Sequence, residues 1–284
     1  MFNLVKQMTH VNIFCTLNSF HKIKTLSGIL ILLLFPFSSF AQQSNLMTDP
    51  AFQHGEKITY NVFYSVIGMY LNAGTAIFKT TKEKFDNSDA YHVVAEGYTN
   101  RRYDWIFKVR DRYESYFTTD NFHPLKFVRN IIEGDFTHHE EITFDNKNNT
   151  AVAGNKKFKI QAGVFDVINA IYYARNLNYN SFVVGDKIPF SMFLDEQVYN
   201  MYIRYLGKEK IKTKYGTFNA IKLRPLLIKG SIFEGGENMT LWVTDDPNHI
   251  PVRAESPISV GSVKIDMMDY ANLRYPLSSL IAMD

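Results

Sequence analysis

From Glu56 onward, apolar and polar positions alternate with a period of two. In "EKITYNVFYSV" (56–66), Ile58, Tyr60, Val62, Tyr64 and Val66 share one face while Lys57, Thr59, Asn61 and Ser65 take the other. This pattern predicts a strand with one covered face. "AYHVVAEGY" (90–98), "FTHHEEITF" (136–144) and "QVYNMYIRYL" (197–206) alternate in the same way. Turn-forming clusters such as "DNSD" (86–89), "DNKNN" (145–149) and "EGGEN" (234–238) separate them. Short strands with frequent turns and no intervening helices predict antiparallel connections rather than βαβ units. One stretch departs from this rhythm. "GVFDVINAIYYARN" (163–176) places Val164, Val167, Ile168, Ile171 and Tyr172 three and four residues apart, with Asp166 near its start and Arg175 near its end. That spacing predicts a helix whose terminal charges complement its dipole.

The expected fold is therefore predominantly all-β. It is a large curved antiparallel sheet, half-barrel or barrel-like, with one short helix packed on it. Aromatic residues make up 15% of the chain, which favours strands over helices. Residues 42–54 read as a lead-in and 55–275 as a single β domain, with halves 55–161 and 181–275 joined by the helix at 163–176. One continuous sheet and two separate sheets fit the pattern equally well. Among the glycines, Gly74 inside a strand predicts a bulge or a close backbone approach, while Gly216 and Gly261 open strand segments.

Residues 1–41 have a different character. Lys22 and Lys24 precede an apolar run from Ile29 to Phe37, and Ser39 and Ala41 provide the small residues of a signal-peptidase site. The run, at about nine to twelve apolar residues around Pro36, is shorter than the roughly 20 a membrane span requires. The expectation is a cleaved leader and a periplasmic or extracellular product with no transmembrane segment. Because Gln42 follows the site, the product would not be a lipoprotein. The leader holds Lys6, Lys22 and Lys24 and no acid, so of 31 bases 28 remain, against 28 acids. Without a basic excess, a nucleic-acid partner is not expected. The only cysteine, Cys15, leaves with the leader, which removes disulfides, thiolate ligands and a cysteine nucleophile from consideration.

Candidate chemistry is sparse. In "LWVTDDPNHIPVRAE" (241–255), Asp245, Asp246 and His249 could be metal ligands or an acid/base set, but Asp, Pro and Asn between two apolar runs predict a turn. In "THHEE" (137–141), His138 and Glu140 share one strand face and His139 and Glu141 the other. His138 and Glu140 are the metal candidates. Zinc needs at least a third protein ligand, so a solvated charged strand is the expected reading and no metal or cofactor is assigned. "NRRYDWIFKVRDRYESYF" (100–117) interleaves Arg101, Arg102, Lys108, Arg110 and Arg112 with aromatics, and the acids Asp104, Asp111 and Glu114 make it read as a long strand with cross-strand ion pairs, the alternative being a surface for an anionic glycan or lipid headgroup. No nucleophile elbow, zincin, P-loop or dinucleotide fingerprint is present, and no catalytic residue is assigned.

Five blocks taken together resemble the DUF3108 family of exported bacterial proteins. They are "GEKITYNVFYSVIGMYLNAGTAIFK" (55–79), "DVINAIYYARN" (166–176), "KIKTKYGTFNAIKLRP" (210–225), "LWVTDDPNHIPVRAE" and "GSVKIDM" (261–267). The resemblance implies a bacterial envelope protein of antiparallel β architecture, and it carries over no catalytic or binding residue.

The function expected from this reading is non-catalytic binding or envelope biogenesis, with an apolar sheet face meeting a lipid-like ligand or an envelope protein. Its aromatics either line a groove or form a closed core. The alternative is a hydrolase acting on an envelope glycan or lipid, for which His92, His138, His139 and His249 would have to converge with acids.

Overall fold

The computed structural model describes residues 46–47, 49–66, 69–229, 235–258 and 261–283. The expected leader lies outside them. The first eight strands are β1 (Lys57–Val66), β2 (Met69–Phe85), β3 (Ser88–Thr99), β4 (Arg110–Thr118), β5 (Pro124–Glu133), β6 (Phe136–Asp145), β7 (Thr150–Ala153) and β8 (Lys156–Lys159). A short β9 (Val164–Phe165) and helix α1 (Val167–Arg175) follow. The chain continues through β10 (Lys187–Leu194), β11 (Gln197–Lys212), β12 (Gly216–Pro225), β13 (Thr240–Thr244), β14 (Pro251–Pro257), β15 (Ser262–Ala271) and β16 (Leu280–Met283).

Two meanders make one sheet. Its order is β8-β7-β6-β5-β4-β3-β2-β1-β15-β14-β13-β12-β11-β10-β9, with β16 added beside β12. Every pairing is antiparallel except β9 with β10. The β1–β15 ladder fuses the two strand sets, so the pattern's open choice resolves to one continuous sheet.

Its two edges, β8 and β9, are separated only by residues 160–163. Laid flat, a path of this many strands at about 4.8 Å each would extend about 65–70 Å, whereas so short a link reaches at most about 15–18 Å. The sheet must therefore curl until its edges nearly meet. Side chains, rather than a backbone ladder, span the remaining seam. Phe193 of β10 packs its ring against Phe144 of β6 and Phe158 of β8, and Lys156 pairs with Glu196 at 2.7 Å.

Helix α1 lies inside this curl and contacts both β4 and β10. It begins later than the spacing alone predicts, because Val164 and Phe165 form β9. Asp166 caps it, accepting from the Asn169 N–H. Ile168, Tyr172 and Arg175 form the buried stripe, whereas Ile171 is exposed. The expected lead-in also enters the concave side. Leu46 bridges Leu177, Met47 N donates to the Asn176 carbonyl, and Ala51 and Phe52 are fully buried. The Phe52 ring packs edge-on against Tyr91 and Tyr172 at 4.8 and 4.7 Å, with Phe117 and Phe122 around it. The aromatics thus pack on one another as a core.

Two expectations are corrected. In β1, Ile58 and Tyr60 are buried as the alternation predicts, but beyond Val62 the buried residues are Phe63 and Ser65 rather than Tyr64. The change coincides with a bulge in the pairing with β2, and Lys214 and Lys264 lie over the Phe63 ring on that side. Residues 100–109, read as part of a long strand, form a loop with one 3-10 turn at Arg101–Tyr103, and β4 starts only at Arg110. The run Trp105–Ile106–Phe107 does not alternate, and no sheet face could bury all three side chains.

Candidate functional site

The inward face of the sheet carries charge in two places. At the centre, Arg175 donates to both carboxylate oxygens of Glu56, at 2.6 and 2.9 Å, and to the carbonyls of Asn248 and Ala51. Its guanidinium also lies over the rings of Phe52 and Tyr172. Buried charges are tolerated when paired and hydrogen-bonded, and here both carboxylate oxygens and all three guanidinium nitrogens have partners. At the opposite, N-terminal end of α1, Asp166 accepts from Ser115 Oγ at 2.6 Å and from Asn169 N at 2.8 Å. Burial dominates over these bonds and pushes its carboxyl up to about 7.

The block 241–255 is a turn, as its residue types predict, and it also ties the interior together. Asp246 accepts from Thr244 Oγ1, from the Asn248 backbone and side chain, and from Ser279 N. His249 is buried with a positive φ of 43°, and its Nδ1 lies 2.7 Å from the Arg175 carbonyl oxygen. Burial lowers its imidazole below the usual range. Asp245 pairs instead with Lys208 at 2.8 Å. Asp245, Asp246 and His249 thus have separate partners.

The second charged place is the seam. His138 and Glu140 do share the inward face of β6, and the tight β10–β11 turn brings Asp195 to them, so that one ligand atom from each lies within 4.8 Å of the others. A residue 55 positions away in the chain therefore supplies the third ligand that strand periodicity could not locate. Arg129 of β5 occupies the same space. Its Nη2 pairs with Asp195 and sits 3.2 Å from His138 Nε2, while its Nε is 2.7 Å from Glu140 Oε2. The Nε contact is close but not along an N–H bond, so it is Coulombic rather than a hydrogen bond. A divalent cation placed among these atoms would face a guanidinium at contact distance. The donor set fits a salt-bridged latch better than a metal. Farther along this face, burial and then Glu133 push Asp111 up to about 6, and burial pushes Tyr113 up to about 12.

The remaining imidazoles are scattered. His92 stacks on Tyr116 at 4.0 Å, with Glu83 and Glu114 on its two nitrogens at 3.3 and 3.0 Å, beside an open depression of about 390 Å³. His139 Nδ1 meets Asn130 Oδ1. Among the described residues, no hydrogen bond joins any of the four imidazoles to a Ser or Thr hydroxyl.

The most unusual surface is the loop at 100–109, which sequence periodicity took for strand. Trp105 is 83% exposed, Ile106 57% and Phe107 46%, and Phe136 at the start of the neighbouring β6 is 53% exposed. The loop base is tightly held. Asp104 accepts from Thr99 Oγ1 and from Arg110 Nη2, both at 2.7 Å, and Asn100 Nδ2 donates to the Asn72 carbonyl. The Thr99 hydroxyl, then Arg110, hold the Asp104 carboxyl below its ordinary range. The Phe107 ring rests against Gly134, whose φ of 62° turns β5 into β6. A signal for this loop was present in the sequence as three adjacent apolar residues between charged ones. Among the described residues, no helix is long and apolar enough to cross a membrane.

Together these features define a curled antiparallel β-barrel-like body plugged by one helix. The chain matches the family described as "Protein of unknown function (DUF3108)" over residues 59–268, and it belongs to that family. No curated protein sequence matches it. Among solved structures, a β-barrel-like protein of domain of unknown function DUF1849 from Brucella abortus is similar at TM-score 0.52 and 7% identity, covering 79% of this chain and 100% of that one. That likeness supports the fold alone. A provisionally described lipoprotein from Parabacteroides distasonis ATCC 8503 aligns at TM-score 0.35 and 13% identity, over 78% of this chain and 99% of the other. A protein from Bacteroides fragilis NCTC 9343, provisionally described as exported and with a YmcC-like fold, aligns at TM-score 0.32 and 12% identity, over 80% and 100%.

Proposed function

We propose that this is an exported envelope protein that works by binding rather than catalysis, and that it binds through the apolar rim carried by the 100–109 loop. Export is supported by the leader pattern of residues 1–41, with its lysines, apolar run and small residues before Gln42. The binding reading rests on one observation: Trp105, Ile106 and Phe107 stand in solvent on a loop anchored by Thr99, Asp104 and Arg110. Contiguous exposed apolar surface marks interaction sites, and anchoring the loop in advance lowers the ordering cost of binding. The inward sheet face is occupied by α1, Phe52 and their aromatic neighbours, so a ligand would meet the protein at its outer surface.

The test is fractionation of the protein from its own cells, comparing wild type with Trp105→Ser/Ile106→Ser. The wild type is expected in the envelope-bound fraction. The variant is expected to move to the soluble fraction with its melting temperature unchanged, because exposed side chains contribute little to stability. An unchanged distribution would refute the rim as the binding surface.

A further inference from the structure

We infer that the occupant of this rim is an anionic lipid membrane, into whose interface the Trp105–Ile106–Phe107 tip inserts. The inference rests on the binding role proposed above and adds the chemistry of the partner. Three features carry it.

The first is shape. The apolar side chains project from a loop rather than line a cleft, so they suit a fluid acceptor more than a partner's protruding side chain. Leu71 and Tyr70 at the start of β2 are also exposed, at 48% and 51%. The loop's backbone bond from Asn100 N to the Ala73 carbonyl ties it to that same end of β2. Phe107, resting on Gly134, stands beside the turn that leads into Phe136, the first residue of β6.

The second is charge. Arg101, Arg102 and Lys108 flank the tip and are exposed. The loop's one acid, Asp104, is turned back onto Arg110. Lys264 lies 3.9 Å over the Tyr70 ring on the same rim. The acids nearby are Asp135 in the β5–β6 turn, Glu133 before it, and Glu255, which faces Lys264 across the β14–β15 ladder and lies by Arg253. With 28 bases and 28 acids after residue 41, the chain has no net charge to provide long-range attraction, so the local excess of cations around an apolar tip decides the preference. Apolar and aromatic residues flanked by Arg and Lys are the combination that seats a segment at a headgroup boundary.

The third is residue type. The tip is led by a tryptophan, whose ring prefers the interface to either water or hydrocarbon, and Arg102 covers the Tyr103 ring at 4.8 Å.

The experiment uses the chain without residues 1–41, mixed with vesicles of phosphatidylcholine alone or containing roughly 30% phosphatidylglycerol to mimic an anionic surface. Binding is read by flotation and by tryptophan emission. The other tryptophan, Trp242, is buried and donates to Glu209, so a spectral shift reports on Trp105. Binding to the anionic vesicles with blue-shifted emission, weakening at high salt, is expected. Ile106→Ser/Phe107→Ser is expected to weaken partition about tenfold or more, and Arg101→Glu/Arg102→Glu/Lys108→Glu to abolish the anionic preference. Absence of binding to either vesicle, with unshifted emission, overturns the inference. If the rim variant nevertheless leaves the envelope fraction in cells, the partner is a protein and only the membrane assignment fails. If the distribution is also unchanged, the rim reading fails with it.

Discussion

Asp166 shows how a single residue of this chain serves folding at a measurable cost. Its carboxylate caps α1 and bonds Ser115, yet its burial holds the carboxyl at about 7, above its ordinary 3.8. The folded state therefore binds this proton more tightly than the unfolded chain does. The residue's contribution to stability falls as pH rises from about 4 to about 7. His249 acts in the opposite sense. Burial lowers its imidazole, so its contribution is lost as pH falls below the ordinary histidine value of about 6.5. Asp166→Asn keeps a cap acceptor for Asn169 N and leaves His249 untouched. Denaturant titrations from pH 4 to 8 are expected to show the variant gaining on wild type as pH rises, by on the order of a few kcal/mol. Parallel profiles would mean that Asp166 ionises as freely as in water. At the other end of α1, the Glu56–Arg175 pair holds its charges by two direct hydrogen bonds, and the backbone carbonyls of Ala51 and Asn248 accept two further N–H groups.

At the scale of elements, the segment before β1 is where structure adds most to sequence. Ala51 and Phe52 lie in a polar, irregular stretch with no period to mark them, yet Phe52 is surrounded by Tyr91, Phe117, Phe122 and Tyr172. Phe52→Ala is expected to destabilise the protein by about 3–5 kcal/mol in chemical denaturation, the range for truncating a buried aromatic. A change below 1 kcal/mol would mean that the segment does not belong to the core. Strands with one covered face were legible because alternation records burial directly, as in Tyr91, Val93 and Ala95 of β3. The helix was legible by its spacing, though its first residues were claimed by β9. Bulges were not legible at Val62 because they arise from pairing with another strand. Gly74 did signal a close approach, since a Cβ there would meet the Tyr98 carbonyl oxygen at 2.5 Å. The 100–109 loop was misread because interleaved charges and aromatics resemble a strand until the non-alternating Trp105–Ile106–Phe107 run is given weight.

At the scale of the whole molecule, the sheet's closure is carried by the side chains of Phe144, Phe158, Phe193, Arg129 and Asp195, none of which announces its partner in sequence. The seam site was therefore half legible, with His138 and Glu140 assigned to one face and both Asp195 and the competing Arg129 invisible. The concave side of the curled sheet is filled by α1 and the Phe52 cluster, and the proposed binding surface is therefore the outer rim. Native mass spectrometry of the protein, purified from its own cells and kept free of detergent, tests the filled interior most directly. A filled interior gives the mass of the polypeptide alone, whereas a retained stoichiometric adduct of lipid size would show that the concave side is a ligand chamber after all.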